Sequence, residues 1–129
     1  MKKTVLVVDD SKVIRQFLSN FLTAEYNVFT VTNGLEAMKW LENYHYCSLI
    51  IADLDMPELD GLGFLSLLRT SGFYANIPVI IVSGEKGSQV RIDCLKAGAS
   101  DYVTKPFNPE ELKIKVDNII SDQKWGQIA

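Results

Sequence analysis

The feature that most constrains this chain is a regular alternation of short apolar runs with amphipathic stretches. Turn residues bound five apolar runs, at 4–8, 27–31, 48–52, 77–82 and 100–104. The middle runs are uninterrupted by polar residues, as expected of strands buried on both faces, whereas the second and fifth are more polar and suit the edges of a sheet. The pattern predicts an α/β fold in which helices cover both faces of a five-stranded parallel sheet.

The stretches between the runs have the spacing of amphipathic helices. The first predicts a helix over 11–24, capped by Ser11 or Asp10, with an apolar stripe of Ile14, Phe17, Leu18, Phe21 and Leu22. A second helix follows Asn33 and carries Leu35, Met38 and Leu41. A third helix follows Gly61.

The last two predicted helices differ in strength. The fifth begins clearly, with Asn108 as its cap and Pro109 at the first helical position, and its apolar stripe is Leu112, Val116, Ile119 and Ile120. The fourth, over 87–97, has a thin stripe and is flanked by Gly84, Gly87 and Gly98. We therefore expect the fourth helix to be locally less stable than the others.

Composition limits the size of the fold and the classes of partner. A chain of 129 residues with 47% hydrophobic and 22% charged positions is typical of one globular domain. We predict a domain over 1–122 and a tail or linker start over 123–129. A formal charge of −3 disfavours direct binding to nucleic acid, and the apolar runs are too short to cross a membrane. Cys47 and Cys94 lack metal or dithiol spacing, which favours buried thiols in the cytoplasm.

Polar side chains follow four of the predicted strands. Asp9 and Asp10 follow the first, Asp53 the third, Ser83 the fourth and Lys105 the fifth. Ligands of open parallel sheets bind beyond the carboxyl ends of the strands, where these residues would meet. Each piece alone could be a helix cap or a solvated turn, but their joint placement favours a site.

The carboxylates of this cluster need a cation. Two unit charges about 4 Å apart repel by roughly 4 kcal/mol at an effective dielectric of 20. Oxygen ligands without a neighbouring His or Cys suit Mg²⁺, or Mn²⁺. A carboxylate beside such an ion can attack a phosphoryl group, provided that other groups hold the phosphoryl oxygens. Lys105 supplies a charge for this and Ser83 a hydroxyl.

Four motifs resemble the receiver domain of two-component response regulators, including the chemotaxis response regulator. They are VVDD at 7–10, ADLDMPELDG at 52–61, VSGE at 82–85 and YVTKPF at 102–107. The resemblance extends over essentially the whole chain. It implies a doubly wound, flavodoxin-like (βα)5 fold with strand order 2-1-3-4-5.

The resemblance also implies a set of roles. Asp53 would accept a phosphoryl group from a sensor histidine kinase or a histidine phosphotransfer protein. Asp9 and Asp10 would help it to hold Mg²⁺, and Asp55 would add its backbone carbonyl. Such a domain catalyses its own phosphorylation and dephosphorylation and is otherwise not an enzyme.

The resemblance further implies a switch. Lys105 would pair with the phosphoryl group, its bond to Pro106 would be cis, and Ser83 would turn toward the new oxygens. Tyr102 matches the aromatic position whose burial changes when the hydroxyl residue moves. The surface formed by the fourth helix, fifth strand and fifth helix would then change, to control an output protein or domain or to form a homodimer.

Two acidic positions bear on how long the phosphoryl group lasts. Asp55 lies two residues after the acceptor, and Glu85 lies two residues after Ser83. Our hypothesis is that both alter the access and orientation of the attacking water.

Other classes remain as alternatives. The run IIADLD is similar to the motif of haloacid-dehalogenase-type phosphatases, in which Asp53 would be the nucleophile, but Pro57 stands where Thr or Val is usual. A calcium loop fails at Pro57 and Glu58. A pseudo-receiver that only binds is disfavoured by the intact set of polar residues.

For several other residues we expect a structural place and no role in the chemistry of the site. We expect His45 at the surface, Trp40 against the second helix and Trp125 half exposed in the tail. A solvated face is predicted for the last helix, made by Lys113, Lys115, Asp117 and Asp122.

Overall fold

A computed structural model describes the backbone of residues 2–44 and 46–128, and the side chains of 2–43 and 46–122. The five strands are β1 (Thr4–Val8), β2 (Asn27–Val31), β3 (Leu49–Asp53), β4 (Val79–Ser83) and β5 (Asp101–Thr104). The five helices are α1 (Lys12–Leu22), α2 (Gly34–Tyr44), α3 (Gly61–Thr70), α4 (Ser88–Lys96) and α5 (Pro109–Ile128). His45 and the side chain of Trp125 lie outside the described part, and the boundary at 122 stays a prediction.

The strands form one parallel sheet in the order β2-β1-β3-β4-β5. All five residues of β3 and of β4 are buried, whereas β2 is half exposed at the margin of the sheet. This confirms the predicted α/β class, strand order and edge positions. Among the described residues, no helix has the length and apolar character to span a bilayer.

Two apolar layers sandwich the sheet. On one face, side chains of α2, α3 and α4 pack against the strands around Phe64, Leu41 and Cys94. On the other face, α1 and α5 pack through Leu18 and Val116. Each layer excludes water from one side of the sheet, so the strand ends offer the remaining polar edge.

Helix starts follow the local signals. The Ser11 side chain accepts a hydrogen bond from the Ile14 amide and caps α1, which settles the choice between Ser11 and Asp10. Asn108 accepts from the amides of Glu110 and Glu111 at the start of α5. Both caps satisfy amides that have no partner within the helix.

Two predicted apolar stripes are narrower than expected. Phe17 and Leu35 are both more than two fifths exposed, although both were predicted on buried faces. In α1, Leu18 and Leu22 occupy the core instead, and the Phe17 ring lies against Phe107 at the surface. Helical spacing defines a broad arc, and only its centre reaches the sheet here.

The predicted solvated face of α5 is instead tied to neighbouring elements. Lys115 forms an ion pair with Asp101 at 2.7 Å, joining α5 to β5. The buried Tyr26 hydroxyl donates to Asp117, and burial together with this carboxylate raises the pKa of Tyr26. Lys113 also pairs with Asp117, at 2.8 Å. Asp122 is exposed as predicted, whereas Lys115 and Asp117 are only partly exposed, because they bind Asp101 and Tyr26, which are distant in sequence.

Candidate functional site

Four polar side chains stand at the carboxyl ends of neighbouring strands. Asp9 directly follows β1, Asp53 ends β3, Ser83 ends β4 and Lys105 directly follows β5. The register of the parallel pairs places these ends side by side. The structure therefore brings these four sequence-predicted residues to one edge of the sheet.

Asp9 is buried, and both its backbone and its carboxylate have hydrogen-bond partners. Its amide donates to the Val31 carbonyl at 3.1 Å, and its carbonyl accepts from Arg15 Nη1 at 2.9 Å. Its Oδ1 accepts from the Ser11 amide at 2.8 Å, and its Oδ2 lies 3.3 Å from Lys105 Nζ. Asp9 therefore has one fixed orientation, with Oδ2 turned toward Lys105.

Asp53 lies beside Asp9 and shares the same cation. Its Oδ1 is 3.2 Å from Lys105 Nζ, and the residue is 7% exposed. Burial and the charge of Asp9 raise the pKa of Asp53 to about 6, although Lys105 and a hydrogen bond from the Asp55 backbone act in the opposite direction. A carboxylate with this pKa is ionised at neutral pH but poorly compensated.

The neighbouring helix start leaves little space behind Asp53. A Cβ built on Gly61 would lie 2.4 Å from the Asp53 carbonyl oxygen and 2.8 Å from Leu54 Cα. The Asp60 side chain caps α3 immediately before this contact. Glycine at 61 therefore allows α3 to start directly against the backbone of the candidate phosphoacceptor.

A third carboxylate completes an acidic cluster. Oxygens of Asp9, Asp10 and Asp53 lie within 4.8 Å of one another, with Asp10 exposed and the other two buried. Carboxylate oxygens are ligands suited to Mg²⁺, which retains several waters and needs few protein groups. The donor set and the open side at Asp10 fit such an ion.

Lys105 balances this cluster. Burial lowers the pKa of Lys105, but the charges of Asp9 and Asp53 and their hydrogen bonds outweigh burial, so the net pKa is raised. Its amide donates to the Ser83 carbonyl at 2.7 Å, which fixes the backbone at the end of β5. The Lys105–Pro106 peptide bond is cis, as expected.

The hydroxyl residue and the aromatic residue meet at one loop. Ser83 is fully buried, and its Oγ accepts from the Glu85 amide at 3.0 Å. Tyr102 is 3% exposed, and its hydroxyl donates to the Glu85 carbonyl at 2.6 Å. The loop after β4 is therefore held from both sides, by Ser83 and by Tyr102.

The remaining predicted residues lie on the rim. Asp55 and Glu85 are both exposed, on the loops that follow β3 and β4. Sequence reasoning missed Arg15, whose side chain fixes the Asp9 carbonyl. Its place four residues after the cap of α1 was the available signal, since a long side chain there can reach back over the first turn.

The fold and this arrangement of residues define a class of protein. The chain belongs to the receiver domains of response regulators, because residues 5–117 match the family described as the response regulator receiver domain. This confirms the resemblance inferred from the motifs.

Particular relatives agree with the class. The chain is 36% identical over 118 residues to the chemotaxis protein CheY homolog of Campylobacter jejuni, covering 90% of this chain and 91% of that protein. It is 34% identical over 122 residues to a Formosa agariphila protein named histidine kinase P4, covering 95% of this chain but 9% of that protein. The receiver domain of the Francisella response regulator 1452 is similar in structure, with a TM-score of 0.86, 36% identity and coverage of 95% of this chain and 99% of that one. Relatives thus include a protein of similar length and one in which this region is a small part.

Proposed function

We propose that the chain is a phosphorylation switch in which Asp53 accepts a phosphoryl group in a Mg²⁺-dependent reaction. The observation that carries this proposal is the cluster of Asp9, Asp10 and Asp53 oxygens within 4.8 Å, with Lys105 Nζ 3.2 Å from Asp53. Three carboxylates and one fixed lysine suit a divalent ion and an anionic group together. The domain promotes its own phosphorylation and dephosphorylation and turns over no separate substrate.

The metal would be held by this chain's own oxygens. Asp9, Asp10 and Asp53 would supply carboxylates, and Asp55 its backbone carbonyl. When bound, Mg²⁺, or Mn²⁺, neutralises charge between the acceptor and the incoming phosphoryl oxygens. Asp9 Oδ1 accepts from the Ser11 amide and Oδ2 lies 3.3 Å from Lys105 Nζ, and each oxygen retains a lone pair that could serve an ion.

Two residues would then hold the phosphoryl group. Lys105 reaches Asp53 without rearrangement and can pair with a phosphoryl oxygen. The Ser83 hydroxyl can turn toward the same group, since its Oγ accepts one hydrogen bond and its hydrogen can be donated.

The output would pass through Tyr102 and the surface of α4, β5 and α5. Tyr102 joins β5 to the loop before α4 through the Glu85 carbonyl, so movement of Ser83 and of this ring would change the same loop. A shift from 1:99 to 99:1 needs about 5.5 kcal/mol, so several contacts must share it. That surface would bind an output protein or domain, or a second copy of the chain.

The phosphodonor would be a histidine kinase or a histidine phosphotransfer protein that seats beside Lys105. A cavity of about 470 Å³ opens there, lined mainly by apolar side chains, and Val13 and Phe17 among them are 74% and 43% exposed. Asp53 is buried, and Lys105, which lines this cavity, has its Nζ 3.2 Å from Asp53, so a donor seated here would bring its histidine close to the acceptor. An apolar rim at the entrance favours a protein donor, since a small molecule could not cover it.

The central test is Mg²⁺-dependent labelling by acetyl phosphate, read by intact mass. The wild type should gain one phosphoryl group with Mg²⁺ and lose that labelling in EDTA. Asp53→Asn should not be labelled. Equal labelling of both proteins would overturn the assignment of Asp53 as acceptor. Equal labelling with Mg²⁺ and with EDTA would overturn the proposed dependence on the metal.

A second test separates donor docking from chemistry. With a phosphorylated histidine phosphotransfer domain that labels the wild type, Phe17→Ala should slow transfer about tenfold, as expected for an anchoring aromatic side chain. Labelling by acetyl phosphate should be unchanged. Phe73→Ala is the matched control, because Phe73 is also exposed but lies outside the residues that line this cavity. Equal losses with both donors would contradict the docking site.

The lifetime of the phosphoryl group would depend on two exposed acidic residues, Asp55 and Glu85. Both lie on the loops that follow β3 and β4, where they could orient water that approaches the acceptor. Decay of the labelled protein should therefore change in Asp55→Asn and Glu85→Ala. Unchanged decay in both variants would remove this role.

The alternative function is a phosphatase with Asp53 as nucleophile. Repeated hydrolysis of an added phosphomonoester would support it, whereas stoichiometric labelling would not. The family match favours the switch. We place the switch in the cytoplasm, which suits two buried free cysteines, and keep 1–122 as its domain and 123–129 as tail or linker.

A further inference from the structure

Arg69, in the last turn of α3, joins three separate segments of backbone. Its Nε and Nη2 donate to the Gly98 carbonyl at 3.1 and 2.8 Å. Its Nη1 donates to the carbonyls of Ile77 and Ala75 at 2.6 and 3.1 Å. Because all the acceptors are backbone atoms, the planar guanidinium fixes the positions of the chain itself, joining α3 to the loop before β4 and to the turn after α4.

Gly98 is shaped for this contact. Its φ is +106°, and a Cβ built on it would lie 2.8 Å from Arg69 Nε. The Gly98 amide donates to the Leu95 carbonyl and the Ala99 amide to the Cys94 carbonyl, which closes the end of α4. The C-terminal end of α4 is thus closed by its own hydrogen bonds and clamped by Arg69.

The N-terminal end of α4 has far fewer anchors. Its cap residue, Gly87, makes no side-chain capping hydrogen bond, and residues 84–89 are all exposed. A Cβ added at Gly84 or at Gly87 would meet nothing within 4 Å. The side-chain hydrogen bonds described for this segment are the two at Glu85, from Tyr102 and to Ser83, and one from Gln89 to Asp93, which stays within α4.

We propose that Arg69 and Gly98 form a fixed pivot for α4, about which the N-terminal end of the helix swings. Nine residues at 1.5 Å each make a lever of about 13 Å, so a rotation of about 10° moves the far end by about 2 Å. Glu85 lies at the moving end. The link to signalling rests on the proposed function, whereas the difference between the two ends of α4 does not.

The test is amide hydrogen exchange of the wild-type protein, without phosphorylation. We expect the amides of Ala97, Gly98 and Ala99 to exchange at least tenfold more slowly than those of residues 91–93, which lie past the first turn and have helical acceptors of their own, because local opening is easier at the less anchored end. Equal protection at both ends would overturn the pivot, and this measurement needs no variant.

The variant Arg69→Lys keeps the charge, but its single nitrogen replaces the three nitrogens with which the planar guanidinium reaches carbonyls on two separate segments. We expect exchange at residues 97–99 to become about tenfold faster. The matched control is Arg91→Lys, the same change at an exposed position of α4. Val116→Ala, in α5, controls for a general loss of stability. The pivot is overturned if the exchange rate at 97–99 in Arg69→Lys equals that in Arg91→Lys, or equals that in Val116→Ala under conditions where the two variants have the same free energy of unfolding.

Labelling with acetyl phosphate and Mg²⁺ tests the link to signalling. Phosphorylation should change exchange at 84–91 and leave 97–99 unchanged. Equal changes at both ends would overturn the pivot. Absence of labelling would count against the proposed function instead, while the comparison within the wild type would still decide the pivot.

Discussion

Folding places the carboxylate of Asp53 in surroundings that disfavour its ionised form. It is buried next to Asp9, and one lysine compensates both groups. Its pKa rises from an ordinary value of 3.8 to about 6, so the folded state prefers the protonated form. The residue that we propose as phosphoacceptor is therefore a source of instability at neutral pH, as is common for groups kept for chemistry.

We therefore predict that Asp53→Asn raises the free energy of unfolding, measured in EDTA, by an amount that depends on pH. Below about pH 4 the group is protonated in folded and unfolded protein alike, so its stabilising contribution is fully present; it is lost as pH rises through about 6. At pH 7.5 the variant should be more stable than the wild type by about 1 to 3 kcal/mol, and the difference should vanish near pH 3.5. Thermal unfolding across this range measures it.

Asp55→Asn is the control, since it removes a charge from the same rim at an exposed position. It should show no comparable gain at pH 7.5. A difference between Asp53→Asn and wild type that is constant with pH would contradict the role of burial.

Gly61 illustrates a steric requirement beside the same residue. In Gly61→Ala the new Cβ meets the backbone of Asp53 and Leu54, which cannot rotate away. We expect a loss of about 2 to 3 kcal/mol in urea unfolding. Gly72→Ala should change stability by less than about 0.5 kcal/mol, because a Cβ there meets nothing within 4 Å. Equal losses would show that helix or turn propensity, not the contact, decides.

At the scale of elements, the starts of α1, α3 and α5 are each capped by one side chain. Asn108 accepts from two amides at the start of α5, at 2.9 and 3.1 Å. Asn108→Ala should lower the free energy of unfolding by about 1 kcal/mol, since those amides lose their acceptor. Asn108→Asp keeps an acceptor oxygen and should remain near the wild type in urea unfolding. If both variants lose the same amount, the cap is not the cause.

Strand positions were largely predictable, and their small errors have physical causes. β1 and β2 have the predicted bounds, whereas β3 and β4 run one residue further, through Asp53 and Ser83. A prediction from hydropathy ends a strand before the first polar residue, but the backbone pairing between strands continues through Asp53 and Ser83. Pro78 lacks an amide hydrogen, and β4 begins after it rather than at 77.

Long-range contacts could not be predicted from the sequence. The motifs indicated Asp9, Asp53 and Lys105 because their spacing follows the strand ends. Arg69 looks like any cation in the last turn of a helix, and its carbonyl partners carry no sequence signal. Such contacts arise when the sheet closes, so local patterns do not contain them.

At the scale of the whole molecule, both apolar layers share one sheet. Phe64 is buried on one face and Leu112 on the other, and the strands between them are common to both. Phe64→Ala should cost about 3 to 5 kcal/mol and Leu112→Ala about 2 to 5 kcal/mol. In each variant the far- and near-ultraviolet circular dichroism should still report one urea transition, because neither layer can melt alone. Separate transitions would show two independent units.

The polar margin of the sheet has a consequence for behaviour at high concentration. β2 pairs with β1 along one side, and the exposed residues of β2 include Asn27 and Thr30. A long apolar margin would invite strands of other molecules to add to the sheet, the first step toward fibrils. Polar side chains there, with Phe29 packed against Trp40, discourage such growth in a crowded solution.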